Sequence, residues 1–425
     1  MKDNAAVITG AAVVTALGNT LAETWDALLG GQHGIRPIEG FDPEGFDCQM
    51  AAQVRGLDTA SLEPRSARIM DLHSHMLLRC VSDAFTEARL DTRPVREEDI
   101  GLFVGMGMVD YNIDDFVPAT RASVDEAGNF NIDRFYARGY QEIYPLITLC
   151  MLNNISACQA AIHLTLRGEN AVFSPHAESG AQAIAEGVKT LLDGKAKAVL
   201  AGGVSEKISP LGLARAQLRG MLARAGRSDV AACRPFAAQR GGAVLGEGCG
   251  MVALESRQSA DQRGIPYAAM ITGSGNAFEA EEGGDRPTSR AIARAMSSAL
   301  ESAELLASDI DAVIAHGDGS PRGDGNEITA IHEVFTGCVD KLVVYSSKAA
   351  LGHLLAGAPA VDLILGLRML SDGVIPPTLH CRPLDGSVDF QMTDKRPMTV
   401  SAKRLLVNCR SSEGHCATLV VEARH

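Results

Sequence analysis

Aromatic residues are scarce in this sequence. Phe, Trp and Tyr make up 4% of its 425 residues, with a single Trp. A groove that stacks successive bases on aromatic rings is therefore not expected. Excess positive charge is missing as well. The formal net charge is -13, which argues against a nucleic-acid or anionic-membrane surface. No apolar run reaches the roughly 20 residues that a bilayer-spanning helix needs. The cysteines, scattered from Cys48 to Cys416, include no C-x-x-C pair. Buried reduced thiols are expected, with no metal site and no disulfide framework. Low-complexity stretches and linkers are absent. The segment from Met1 to Gly10 has no basic n-region and reads as a first buried strand, so the expected location is the cytoplasm.

What the chain does have is glycine, 43 residues, and a hydrophobic fraction of 46% against 21% charged. That balance suits a globular protein with many tight turns. Strand-like apolar runs alternate with helical patterns, which points to an α/β architecture. Ala5 to Gly10, Ile100 to Gly105 and Ala196 to Gly203 read as strands, and Gly180 to Leu192 reads as a helix ended by Gly194. A similar series follows from Gly250 onward. The expected division is an N-terminal half, 1–250, and a C-terminal half, 251–425. Residues 106–165 interrupt the first half. Their polar stretch gives way to apolar Tyr144 to Leu152, and an insertion of this length serves as a lid or a subunit contact.

Three constellations carry chemistry. Ala312 to Ser320 ends a strand in His316 and a Gly-rich turn. Ser346 to Leu355 repeats the device with Lys348 and His353. Taken alone, each is a turn with a structural histidine or a solvated lysine. Together they place two imidazoles and an ammonium after successive strands, where α/β sheets build sites. The third is the turn His176-Ala177-Glu178-Ser179-Gly180 before an Ala-rich helix. A nucleophile there would draw on the helix N-terminus, and backbone N–H groups of the turn could bind an oxyanion.

Strand-turn-helix, then His-Gly, then Lys-x-x-x-Gly-His, in this order and spacing, resembles the β-ketoacyl-carrier-protein synthase family. The likeness runs through Val7-Ile8-Thr9-Gly10, Gly202-Gly203-Val204-Ser205-Glu206, Arg234-Pro235-Phe236, Val244 to Gly248, Asp324 and Glu327. It implies a thiolase-like fold: two pseudo-symmetric halves in a five-layered αβαβα core, dimerised through the insertion. It also implies roles. A cysteine at position 177 would carry the acyl chain, His316 and His353 would decarboxylate a malonyl thioester, and Lys348 would hold His353. The substrate carrier would be the phosphopantetheine of an acyl carrier protein, and no other cofactor is expected.

The departures from the family pattern decide the functional expectation. Ala177 stands at the nucleophile position, and a methyl group forms no thioester. The family's Asn-Ser-Phe-Gly-Phe-Gly-Gly loop becomes Asn408 to Gly414, with Arg410 and Ser412 at the two Phe positions and Glu413 adding charge. The hydroxyls on the pantetheine side become Asp318 and Ser320. An engineered replacement at position 177 would have left that loop alone. The resemblance is thus to a chain length factor, a non-condensing subunit that pairs with a Cys-containing ketosynthase in fatty-acid, polyene or polyketide synthesis. Leu146, Ile147, Leu149 and Met151 are candidate tunnel or interface residues, with ordinary core as the competing assignment. Arg65 and Arg68 lie where the family docks its carrier protein, but Ile69 breaks the basic run, so the partner is expected to supply the main dock. The alternative is a malonyl-carrier decarboxylase using the two histidines. A relocated nucleophile at Ser179, Cys409 or His176 matches no known arrangement.

Overall fold

A computed structural model describes residues 5–58, 70–92, 95–108, 111, 113–279 and 288–424. Ten strands form the main sheet: β1 (Ala6–Thr15), β2 (Ile100–Met106), β3 (Asn170–Phe173), β4 (Ala198–Val204), β5 (Gly248–Ser256), β6 (Ala269–Phe278), β7 (Ala312–Ile314), β8 (Val343–Tyr345), β9 (Arg404–Arg410) and β10 (His415–Ala423). Their order is β8-β7-β9-β10-β6-β1-β5-β4-β2-β3. Read outward from the centre, the first five strands run 1-5-4-2-3 and the second five 6-10-9-7-8. The second half repeats the first, and β1 joins β6 antiparallel through Ala6 and Val7.

The helices used below are α1 (Leu72–Glu87), α2 (Ser179–Leu192), α3 (Pro210–Leu218), α4 (Ser289–Ala303), α5 (Pro321–Val334) and α6 (Ala358–Asp372). α2 and α6 pack on each other and on strands of both halves, while α1 covers β1 and β5, and α4 covers β6 and β10. The layers are therefore helix, sheet, helix, sheet, helix, the thiolase-like arrangement. α6 is apolar nearly all round and buried over most of its length, as a helix in a middle layer must be. α4 is amphipathic, burying Ala291, Ile292, Ala295, Met296 and Ala299 on one face only.

Two glycines bring the site elements together. A Cβ on Gly180, at the start of α2, would lie 2.3 Å from the Ala356 carbonyl oxygen, and one on Gly203, in β4, 2.2 Å from the same atom. Any side chain at either place would push the segment after His353 away from the turn that holds Ala177.

The insertion folds as short helices and turns, and it is unlike the rest of the surface. Most large apolar side chains exposed among the described residues lie there, including Tyr111, Ile113, Phe130, Tyr136, Tyr140 and Leu152. Strand β3, beside it, is an edge with one unpaired side. No described helix is long and apolar enough to cross a membrane.

Candidate active site

β7 ends at Ile314, and the chain turns at once through His316 and Gly317. Glu327 of α5 fixes this turn: its two carboxylate oxygens accept the backbone N–H groups of His316 and Gly317, each at 2.8 Å. Asn408 of β9 donates to the same carboxylate at 2.5 Å, and Thr418 donates to Asn408 at 3.0 Å. A buried chain of hydrogen bonds from β10 to α5 thus sets the position of His316.

His316 and His353 are both 2% exposed. Their ring centroids lie 4.8 Å apart, edge to face. Each Nδ1 accepts a backbone N–H: that of Arg410 for His316 at 3.3 Å, and that of Leu355 for His353 at 3.2 Å. A neutral imidazole with an accepting Nδ1 carries its proton on Nε2. Burial keeps both rings neutral, pushing His316 below the usual histidine range and His353 well below it. Both present donors to a cavity of about 210 Å³ whose walls include Ala177, Glu206, Asp318 and Arg410.

Ala177 lies in the turn before α2, 4% exposed, in reach of both histidines across that cavity. Cys409 donates its thiol to the Ala177 carbonyl at 3.2 Å. Burial raises that thiol well above the usual range, so it is an inert core group rather than a displaced nucleophile. Ser179 is the buried first residue of α2, and His176 faces Glu413 at 3.2 Å.

Arg410 and Asp318, two separate departures in the sequence, are one ion pair. The guanidinium donates to the Asp318 carboxylate at 2.8 Å and to Ser320 Oγ at 3.1 Å, with both charged side chains almost fully buried. Burial alone would raise Asp318. The Arg410 charge and the His316 hydrogen bond outweigh it and hold the carboxyl well below the usual range. Asp318 also lies 3.6 Å from His316 Nε2. His316, Asp318 and His353 are close enough to be weighed as a cation site. The donor set does not suit one: both Nε2 atoms carry protons that Nδ1 cannot take over, and Arg410 already neutralises the carboxylate.

Lys348 corrects an expectation. Its ammonium reaches Asp362 of α6 at 2.6 Å, and Ser347 donates to the other oxygen at 2.6 Å. Lys348 has no hydrogen bond to His353 and acts on it only through its charge. The lysine is held by α6 instead. Leu146 is exposed but lies outside the large groove beside the insertion, whereas Ile147, Leu149 and Met151 line it. Ile147 is buried at 7% and also packs as core. Ser412 and Glu413 line the mouth of the cavity, with Glu413 paired to Arg219 at 3.3 Å. Arg65, Arg68 and Ile69 lie outside the described residues.

Sequence reasoning missed Glu178. It is 4% exposed at the head of α2, its Oε2 has no partner, and burial followed by the Glu413 charge raises it to about 7. A carboxyl raised on folding contributes stability that is complete below pH about 4.5 and lost as pH climbs through about 7. Glu178→Gln is expected to remove that decline, up to roughly 3 kcal/mol. The gap in urea midpoint between pH 5 and pH 8 would shrink; an unchanged gap would contradict the assignment.

A family model described as "Beta-ketoacyl synthase, N-terminal domain" matches residues 3–260, and one described as "Beta-ketoacyl synthase, C-terminal domain" matches residues 268–382. Over 417 residues the chain is 27% identical to a 3-oxoacyl-(acyl-carrier-protein) synthase 2 from Staphylococcus aureus, covering 97% of this chain and 100% of that protein. A solved β-ketoacyl synthase from Burkholderia phymatum STM815 is 25% identical with a TM-score of 0.87, covering 99% and 100%. The ishigamide ketosynthase/chain length factor gives a TM-score of 0.86 at 23% identity, covering 99% and 100%, a likeness of fold.

Proposed function

Since the chain belongs to the β-ketoacyl synthase family, we propose that it is the non-condensing partner of a Cys-containing ketosynthase, a chain length factor in acyl-chain synthesis. The observation that carries this reading is the buried Arg410–Asp318 pair standing opposite Ala177. The position that would hold a thiolate holds a methyl, and the space that a thioester's pantetheine side would need contains a closed ion pair. Ping-pong condensation at this site lacks its nucleophile.

The paired Nε2 donors of His316 and His353 favour the competing reading, a malonyl-carrier decarboxylase, because such donors stabilise an enolate. Asp318 opposes it. An ionised carboxylate beside His316 competes for one donor and repels the negative charge that decarboxylation develops.

The exposed apolar insertion and the open edge of β3 support an obligate partner. Apolar area of this kind on one face is a protein-contact surface, and an unpaired edge strand is a place for sheet continuation. In this reading the acyl carrier protein docks mainly on the partner.

The test is co-expression with a Cys-containing ketosynthase, with the tag on this chain alone, followed by the mass of the purified species. A one-to-one complex is expected. A clean homodimer that leaves the ketosynthase behind would overturn the proposal.

A further inference from the structure

The cavity around His316 and the groove beside the insertion are separate compartments, and Glu206 is the wall between them. Glu206 accepts the Met108 backbone N–H at 2.8 Å. It packs so closely on Gly107 that a Cβ there would lie 2.3 Å from the Glu206 Cγ. Behind it, between His73, Met106, Met108 and Ser205, only about 10 Å³ remains, scarcely room for one water. Beyond His73 the groove opens to about 950 Å³, a size that accommodates an extended small ligand. Its outer walls are Ile113, Met151 and Leu152, exposed side chains of the insertion. The insertion face, where the partner would lie, is the open side of this groove.

The groove ends on a polar group. Asp71 caps α1 by accepting the N–H groups of His73 and Ser74, and it also contacts His73 Nδ1. With Nδ1 against Asp71, Nε2 is the ring atom left for another partner. No described residue takes that atom. The ring is 8% exposed and lines the groove floor with Ser74 and Ser156, whose hydroxyls bond each other at 2.6 Å. Glu247, also at the groove, is already used by the N–H groups of Val54 and Ile208.

We propose that His73, oriented by Asp71, is a specificity-determining floor, and that the groove takes an acyl chain bearing a hydroxyl or enol at that depth rather than a plain hydrocarbon end. The proposal rests on the partner-subunit reading, which supplies the chain. A hydrocarbon end would bury the polar Nε2 of His73 with nothing to bind, whereas a hydroxyl, which can donate or accept, pairs with it. Sites that hydrogen-bond a substrate hydroxyl reject its deoxy analogue strongly, and apolar pockets do not.

The test uses the purified complex with a Cys-containing ketosynthase, its mass measured first. Carrier-bound primers in a length series, each saturated or ending in a hydroxyl, are offered for extension. At the length that reaches the floor, the hydroxylated primer should be extended at least about tenfold more efficiently. His73→Leu should abolish that preference with the complex intact, and His73→Gln, which keeps an acceptor, should retain part of it. No preference at any length, or a preference that survives His73→Leu, would overturn the proposal while leaving the complex standing. Failure to form the complex would instead defeat the partner-subunit reading, and this proposal with it.

Discussion

Arg410→Ala is expected to destabilise the protein by about 3–5 kcal/mol, as removal of one member of a buried pair does. Both side chains are almost fully enclosed, and the guanidinium, with His316 beside it, is what keeps Asp318 charged. Without Arg410 the carboxyl must either ionise alone in a dry site or take up a proton, and both cost free energy. Asp318→Ala should cost less, because the remaining Arg410 still faces Glu327 and Asp324. The double variant Arg410→Phe, Asp318→Thr, which restores the family's residue types, should return most of the loss, since apolar and hydroxyl groups carry no unpaired charge. Urea denaturation of the natural chain, Arg410→Ala, Asp318→Ala and the two Ala substitutions combined forms a double-mutant cycle. Additive losses in the singles and double would show that the pair is not coupled.

The Arg410→Phe, Asp318→Thr variant should release carbon dioxide from malonyl-carrier protein faster than the natural chain. Decarboxylation of malonyl-carrier protein needs the two Nε2 donors aimed at the developing enolate, and Asp318 now stands 3.6 Å from one of them. Removing the carboxylate frees that donor and takes away a buried negative charge. One oxyanion-hole donor is worth about 10²–10³ in rate, so carbon dioxide release should rise by at least about 10². Adding His316→Ala to the double variant should return the rate to background. A natural chain that already decarboxylates at the rate of the double variant would refute this account of Asp318. Ala177→Cys alone should leave condensation undetectable, because the Arg410–Asp318 pair would still occupy a wall of the same cavity.

Much of this molecule was legible in its residues. The alternation of apolar strands and helical runs marked an α/β body, because burial on both faces of a sheet imposes continuous apolar segments. The helix from Ser179 and its stop near Gly194 followed from local chemistry: small residues in the body, and a glycine at a backbone angle of +71° just past the end. The order of Ala177, His316 and His353, read through the family resemblance, pointed to one site, and the structure brings all three to one cavity. A methyl at position 177 forms no thioester, and no coordinate was needed for that.

Tertiary structure alone decided how the altered residues act on one another. Asp318 and Arg410 are 92 positions apart, and nothing in either segment says that they meet. Only the neighbouring placement of β7 and β9 makes them a pair. Lys348 turned from His353 to Asp362 for a similar reason, since its reach depends on where α6 lies. Glu178 showed no sign of an abnormal pKa, because burial and the nearby Glu413 are properties of packing. The wall at Glu206 and the polar floor at His73 were likewise invisible, for they are made by a strand end, a loop and a helix cap from distant parts of the chain. The order of residues determined the fold and which residue types stand at the site. Which charges face each other, and which cavities connect, depends on distances across the sheet that no local pattern encodes.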